Sequence, residues 1–144
     1  MCAYFDSAII VKLYVKEATS PDPIRLVGAY VAPYAVTQWQ ELEVNNAIRL
    51  KAFLAEITAE EMNQSIAAFK QDIATGRWQC PTYTAATVEQ KADELSADHS
   101  AILGCRTLDI IRVAAARVLG VKEFVTFDAR QGALANQVGL TVKP

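Results

Sequence analysis

Four carboxylates could do chemistry in this chain: Asp6, Glu43, Asp109 and Asp128. Asp6 follows the apolar run Ala3-Tyr4-Phe5, and Asp128 follows Phe124-Val125-Thr126-Phe127. Asp109 stands at the start of an almost wholly apolar helical stretch from Leu108 to Leu119, and Glu43 lies in line with Trp39, Ala47 and Leu50. Each occupies a place where a fold normally puts an apolar residue, a cap or a turn. If they converge, their repulsion must be offset, since unit charges about 4 Å apart repel by roughly 4 kcal/mol at an effective dielectric of about 20. A divalent cation does this, and hard carboxylate oxygens suit Mg²⁺ or Mn²⁺.

Each acid also has an ordinary structural role open to it. Asp128 with Gln131 matches a capping box, Asp109 can serve the helix dipole in a first turn, and Asp6 or Ser7 can cap the helix after the first strand. Glu43 fits such a role least, because a carboxylate on a packing face must find a partner or sit at its boundary. Their shared position raises the joint reading. In parallel α/β sheets, ligands gather beyond the carboxyl ends of the strands, where Asp6 and Asp128 fall. Asn46 lies one turn along the face of Glu43, and Ser7 and Thr126 are placed to orient carboxylates.

Composition removes several other chemistries. The only histidine is His99, and Cys2, Cys80 and Cys105 are widely spaced, so zinc ligation and a disulfide framework are disfavoured. The cysteines are expected as small core or edge residues of a protein in a reducing compartment. No serine or cysteine motif pairs with His99 as a nucleophilic triad, and no phosphate-cradling P-loop is present. The net charge of −2 gives no global signature of nucleic-acid binding. A local set of Lys and Arg can still hold phosphate. No apolar stretch reaches membrane-spanning length, and the expectation is a cytoplasmic protein without membrane attachment.

The elements that must position these residues alternate as in an α/β domain. Strands are expected at 3–5, 31–36, 77–80, 123–127 and 140–142. Helices are expected at 8–16, from Thr37 to about Phe53, and at 58–75, 84–96, 107–119 and 129–136. The second of these helices should pack through Trp39, Leu42, Ala47, Leu50 and Leu54, and the third through Met62, Ile66, Phe69 and Ile73. The segment from Thr19 to Pro23, with two prolines, excludes a regular helix there. With 144 residues and 52% hydrophobic content, one domain spanning 1–144 is expected.

The motifs resemble the PIN domain, and within it the VapC-type ribonuclease toxins. Tyr4-Phe5-Asp6-Ser7-Ala8, with Val11-Lys12-Leu13-Tyr14 and Glu17, is similar to the family's opening strand and helix. Glu41-Leu42-Glu43-Val44-Asn45-Asn46-Ala47 resembles the segment of the second acid, placed at Glu43. Gly104-Cys105-Arg106-Thr107-Leu108-Asp109-Ile110, preceded by Leu95-Ser96 and His99, resembles the approach to the third. Val125-Thr126-Phe127-Asp128-Ala129-Arg130-Gln131 resembles the segment of the fourth. Arg112 departs from the histidine common at its position. The segment from Ala18 to Tyr30 matches nothing specific.

The resemblance implies a three-layer α/β/α fold with a central, mainly parallel sheet of four to five strands. It also implies a Mg²⁺- or Mn²⁺-dependent endoribonuclease in which Asp6, Asp109 and Asp128, with Glu43 directly or through water, hold metal. A homodimer restrained by a VapB-type antitoxin follows from the same resemblance. Lys12, Lys16, Arg112 and Arg130 are candidate phosphate contacts; a solvated surface or salt bridge is the alternative, favoured for Lys16. Tyr4, Tyr14 and Trp39 could stack on RNA bases, though core packing is the expectation for each. A catalytically weak PIN-like RNA-binding or assembly module is the rival function. An aspartyl phosphatase fits poorly, because Ala8 stands two residues after Asp6, where such enzymes carry a second aspartate.

Overall fold

The computed structural model describes residues 3–16 and 23–143. Its fold is α/β, with seven helices and a five-stranded sheet among the described residues, every described strand pairing being parallel. No helix among these residues is long and apolar enough to cross a membrane. The chain divides into two compact units, one comprising Ser7–Cys80 and the other joining the strand before Ser7 to the C-terminal part from Pro81.

In the C-terminal unit, β1 (Ala3–Phe5) pairs with β4 (Glu123–Val125), which pairs with β5 (Thr141–Lys143). All three β1 side chains are buried, the continuous apolar run expected of a strand covered on both faces. Tyr4 sits opposite Phe124 in register, and their rings stack with centroids 5.3 Å apart. Helix α5 (Ala85–Leu103) packs on α6 (Thr107–Val118), and α7 (Ala129–Gln137) packs against α6 and β5. Gly104, at φ 63°, ends α5 in the left-handed conformation. The apolar side of α6 buries Ile110, Val113 and Ala114 to Ala116.

The other unit contains α1 (Ser7–Tyr14), α2 (Pro23–Gly28), β2 (Tyr34–Ala35), α3 (Gln38–Phe53), α4 (Ala59–Ala74) and β3 (Trp78–Gln79). Strands β2 and β3 pair in parallel, Tyr34 opposite Trp78. Thr37 and Thr58 cap α3 and α4 through reciprocal boxes with Gln40 and Glu61. A core of aromatic rings links Tyr14 to Phe69, Phe69 to Trp78 and Trp78 to Tyr34, at centroid distances of 5.2, 6.4 and 5.1 Å.

Several boundaries differ from the sequence expectation. The strand expected over 31–36 shrinks to Tyr34–Ala35, because Val31 is exposed and Pro33 has no N–H to give to a ladder. The helix expected at 84–96 continues to Leu103 and takes His99 into its length. Pro23, expected within a break, opens α2, since its fixed φ suits a first helical turn. The rest of that expected break, with Cys2 and Glu17, lies outside the described residues. The orientation of α3 is the largest correction. Gln40, Val44, Asn45 and Ile48 face inward, whereas Trp39, Leu42, Leu50 and Leu54 are exposed. Trp39 is therefore not a core residue. Cys80 is exposed and Cys105 half-buried, so Cys80 is an edge residue at most.

Candidate functional site

Three of the four proposed acids come together in the C-terminal unit. Asp6 follows β1, and its backbone N–H donates to the carbonyl of Val125 at 2.9 Å, extending the β1–β4 ladder by one residue. This fixes the Asp6 side chain at the carboxyl end of the strand pair. Thr126, just past β4, donates from Oγ1 to Asp6 Oδ2 at 3.4 Å and accepts from the Asp128 N–H at 3.0 Å. One hydroxyl thus relates two carboxylates, the orienting role the sequence suggests for Thr126.

Asp128 is also the N-cap of α7. Its Oδ1 accepts from the backbone N–H groups of Arg130 and Gln131 at 2.8 and 3.2 Å, leaving Oδ2 to turn elsewhere. The full capping box expected with Gln131 does not form, since the buried Gln131 Oε1 accepts no hydrogen bond. Arg130 is exposed and meets Asp128 through its backbone N–H.

Asp109 is 1% exposed, although it is charged. Its Oδ2 accepts from the Arg106 backbone N–H at 3.2 Å and from Arg106 Nε at 3.0 Å. Its Oδ1, also buried, accepts no hydrogen bond. Burial alone would push this carboxyl up, but the Arg106 hydrogen bonds and the charges of Arg106 and Arg112 hold it below the usual carboxylate range. Asp109 is therefore anionic at neutral pH.

Two arginines bridge the three acids. Arg106 Nη2 reaches Asp128 Oδ2 at 3.5 Å while its Nε holds Asp109. Arg112 Nε lies 3.9 Å from Asp6 Oδ1, and its Nη1 lies 4.0 Å from Asp109 Oδ1. These last two distances are ion pairs beyond hydrogen-bond length. Arg112 thus pairs with carboxylates, one of the two roles open to it from sequence. Arg106 was not singled out by the sequence reading. Its position three residues before Asp109 on one helical turn was the available signal.

Glu43 belongs to the other unit, where its Oε2 accepts from Ser7 Oγ at 2.7 Å. Ser7 is buried, Glu43 and Lys12 are half-buried, and Asn46 is exposed. Lys16 is exposed too.

Carboxylate oxygens are the ligands a hard divalent cation takes, but in the C-terminal unit arginines already face them. Three carboxylates meet two guanidinium groups, and the buried Asp109 Oδ1 has no hydrogen-bond donor of its own. Among the described residues, however, no group of three His, Cys, Asp or Glu side chains is drawn close enough to form a metal cluster. Arginine bridges the carboxylates instead. The Cys105 thiol offers no ready nucleophile, since burial and the Asp109 charge push its pKa up. No protein-family model matches this chain, and no curated protein matches it by sequence.

Proposed function

We propose that this chain is a Mg²⁺- or Mn²⁺-dependent endoribonuclease of the PIN-domain, VapC type, the toxin of a toxin–antitoxin pair. One observation carries the reading: three carboxylates from separate parts of the chain assemble beyond the ends of β1 and β4 and at the start of α6. Among them, a buried Asp109 oxygen accepts no hydrogen bond. A structural role for Asp109 would ordinarily satisfy that atom.

Asp6, Asp109 and Asp128 would hold the metal, and Glu43 enters through the resemblance alone. Bound there, a cation would supply Lewis-acid chemistry for water attack on a phosphodiester. Thr126 keeps the Asp6 and Asp128 carboxylates in register, and the backbone N–H groups of Arg130 and Gln131 hold Asp128 in one rotamer. The buried flank of Asp109 limits water around its charge, which strengthens its electrostatic effect. Arg112 and Arg130 remain candidates for holding the RNA phosphates. The VapB-type antitoxin, the homodimer and the cytoplasmic setting belong to the same proposal.

The arginine bridges favour one second reading, a catalytically weak PIN-like RNA-binding or assembly module. A cleavage assay on single-stranded RNA separates the two. The nuclease reading expects Mg²⁺- or Mn²⁺-dependent internal cuts, lost on chelation and reduced by about 10²-fold or more in Asp6→Asn and Asp109→Asn. Circular dichroism checks that both variants remain folded. Cleavage that persists in both folded variants rejects the nuclease assignment, and RNA binding without cleavage by the wild type supports the module.

A further inference from the structure

The outer side of α3 is apolar. Trp39, Leu42, Leu50 and Phe53 are exposed, Phe53 at 84%, and the exposed Leu54 follows at the C-cap. With Asn46, also exposed, the four helical residues stand four and seven positions to either side of one centre. At about 100° per residue they fall within roughly 80° of arc with Asn46, so they form a single stripe. Outward from Asn46, the stripe is leucine and then an aromatic residue in both directions. The opposite side of the helix is already covered, burying Gln40, Val44, Asn45 and Ile48.

We infer that this stripe is the face on which a second copy of the chain docks, α3 against α3, antiparallel about a two-fold axis at Asn46. The inference rests on the homodimer of the proposed function, which the resemblance alone supplies, and gives it a surface and a register. A two-fold interface uses the same patch on both copies, so the patch must complement itself. Turning the stripe about Asn46 lays leucine on leucine and aromatic on aromatic. Leu42, Asn46 and Leu50 also form an i±4 ridge, the row that interdigitates when helices cross at about −50°.

Charge selects the same arrangement. The half of α3 before Asn46 carries Glu41 and Glu43 and no base, and the half after it carries Arg49 and Lys51 and no acid. Antiparallel pairing sets the acidic half beside the basic half and opposes the two helix dipoles, whereas parallel pairing sets like beside like. Glu43 and Lys51 also bond within their own chain, to Ser7 and Glu56, which leaves this ordering of charge unchanged. The five exposed apolar side chains offer on the order of 500 Å² per copy, more than half of the about 800 Å² that each partner gives to a standard interface. At the centre, each Asn46 amide can both donate to and accept from the other, and a shifted register would bury it against leucine.

Sedimentation equilibrium on the full chain, whose monomer is 15.7 kDa, reads the pairing. Wild type is expected as a dimer at micromolar concentration. Leu50→Glu and Phe53→Glu should each raise the dissociation constant by about 100-fold or more, since each sets a charge in the apolar contact. Ile102→Glu, at an exposed residue of α5, should match wild type. Circular dichroism checks that the variants remain folded. Register is read by oxidation in a chain carrying Cys2→Ser, Cys80→Ser and Cys105→Ser. There Asn46→Cys should cross-link to a dimer and Gln38→Cys should not, because its two copies lie about 24 Å apart along the helix at about 1.5 Å per residue. A dimer that persists in both folded stripe variants overturns the docking face while leaving the homodimer. Equal cross-linking from both positions overturns the antiparallel register. A wild type that stays monomeric overturns the inference together with the homodimer and gives the stripe to a different protein; metal-dependent RNA cleavage by that monomer would keep the nuclease reading standing.

Discussion

Asp72 and Asp109 are each carboxylates held beside an arginine, and they are finished in opposite ways. In the N-terminal unit, Trp78 Nε1 donates to Tyr14 Oη at 2.8 Å, Tyr14 donates onward to Asp72 Oδ2 at 2.6 Å, and Arg77 closes the chain at 3.2 Å. Each donor meets an acceptor, and the aromatic rings around them are packed edge to face or tilted. In the C-terminal unit, Asp109 shares its arginine with Asp128, shares Arg112 with Asp6, and keeps one buried oxygen without a hydrogen bond. A closed network of neutral and charged donors stabilises a fold. An acidic cluster with a buried oxygen that accepts no hydrogen bond stabilises the fold little by itself.

Breaking the closed network should cost most. Trp78→Ala removes a fully buried ring together with its hydrogen bond, and urea unfolding should show a loss of about 3–5 kcal/mol. A loss under 1 kcal/mol would mean the aromatic core carries far less than its burial implies.

Tyr14 sharpens the contrast through pH. Burial, and then its hydrogen bond to Asp72, push its hydroxyl above the ordinary tyrosine range. The unfolded chain then ionises first. Stability from this group is fully present below about pH 10 and is lost as pH rises above that value. Tyr14→Phe should flatten this alkaline limb in thermal melts and cost about 1–3 kcal/mol at neutral pH through the unsatisfied partners. An alkaline limb that persists unchanged in the variant assigns it to another group.

Asp128 gives the smallest and most discriminating effect, because it is both cap and candidate ligand. Asp128→Ala should lower stability by about 1 kcal/mol through the lost cap of α7, whereas Asp128→Asn should keep most of that stability, since Asn caps nearly as well. If the carboxylate also serves the reaction, Asp128→Asn still loses RNA cleavage. Matching activity in Asp128→Asn and wild type would leave Asp128 as a cap alone.

How much of this was legible depended on range. Thr37 as a cap and the α/β class could be read directly, because caps and alternating strand and helix patterns depend on neighbours within a few residues. The face of α3 could not. Trp39, Leu42, Leu50 and Leu54 look like a packing stripe by spacing, but the neighbouring elements that decide which side is covered bury Gln40, Val44, Asn45 and Ile48 instead. The strand expected at 31–36 was overstated for a related reason, since β propensity marks residues able to pair without supplying a partner.

The sequence by itself determined that Asp6 follows a strand, that Asp128 caps a helix and that Asp109 begins one, because local patterns place them there, although the strand expected up to Phe127 ends at Val125. Only the tertiary structure decided that these three meet, that Thr126 joins two of them, and that Arg106 and Arg112 bridge them. Such contacts join residues more than a hundred positions apart or depend on side-chain reach. Their geometry is set by the parallel pairing of β1 with β4 and the packing of α6 and α7, not by any local pattern.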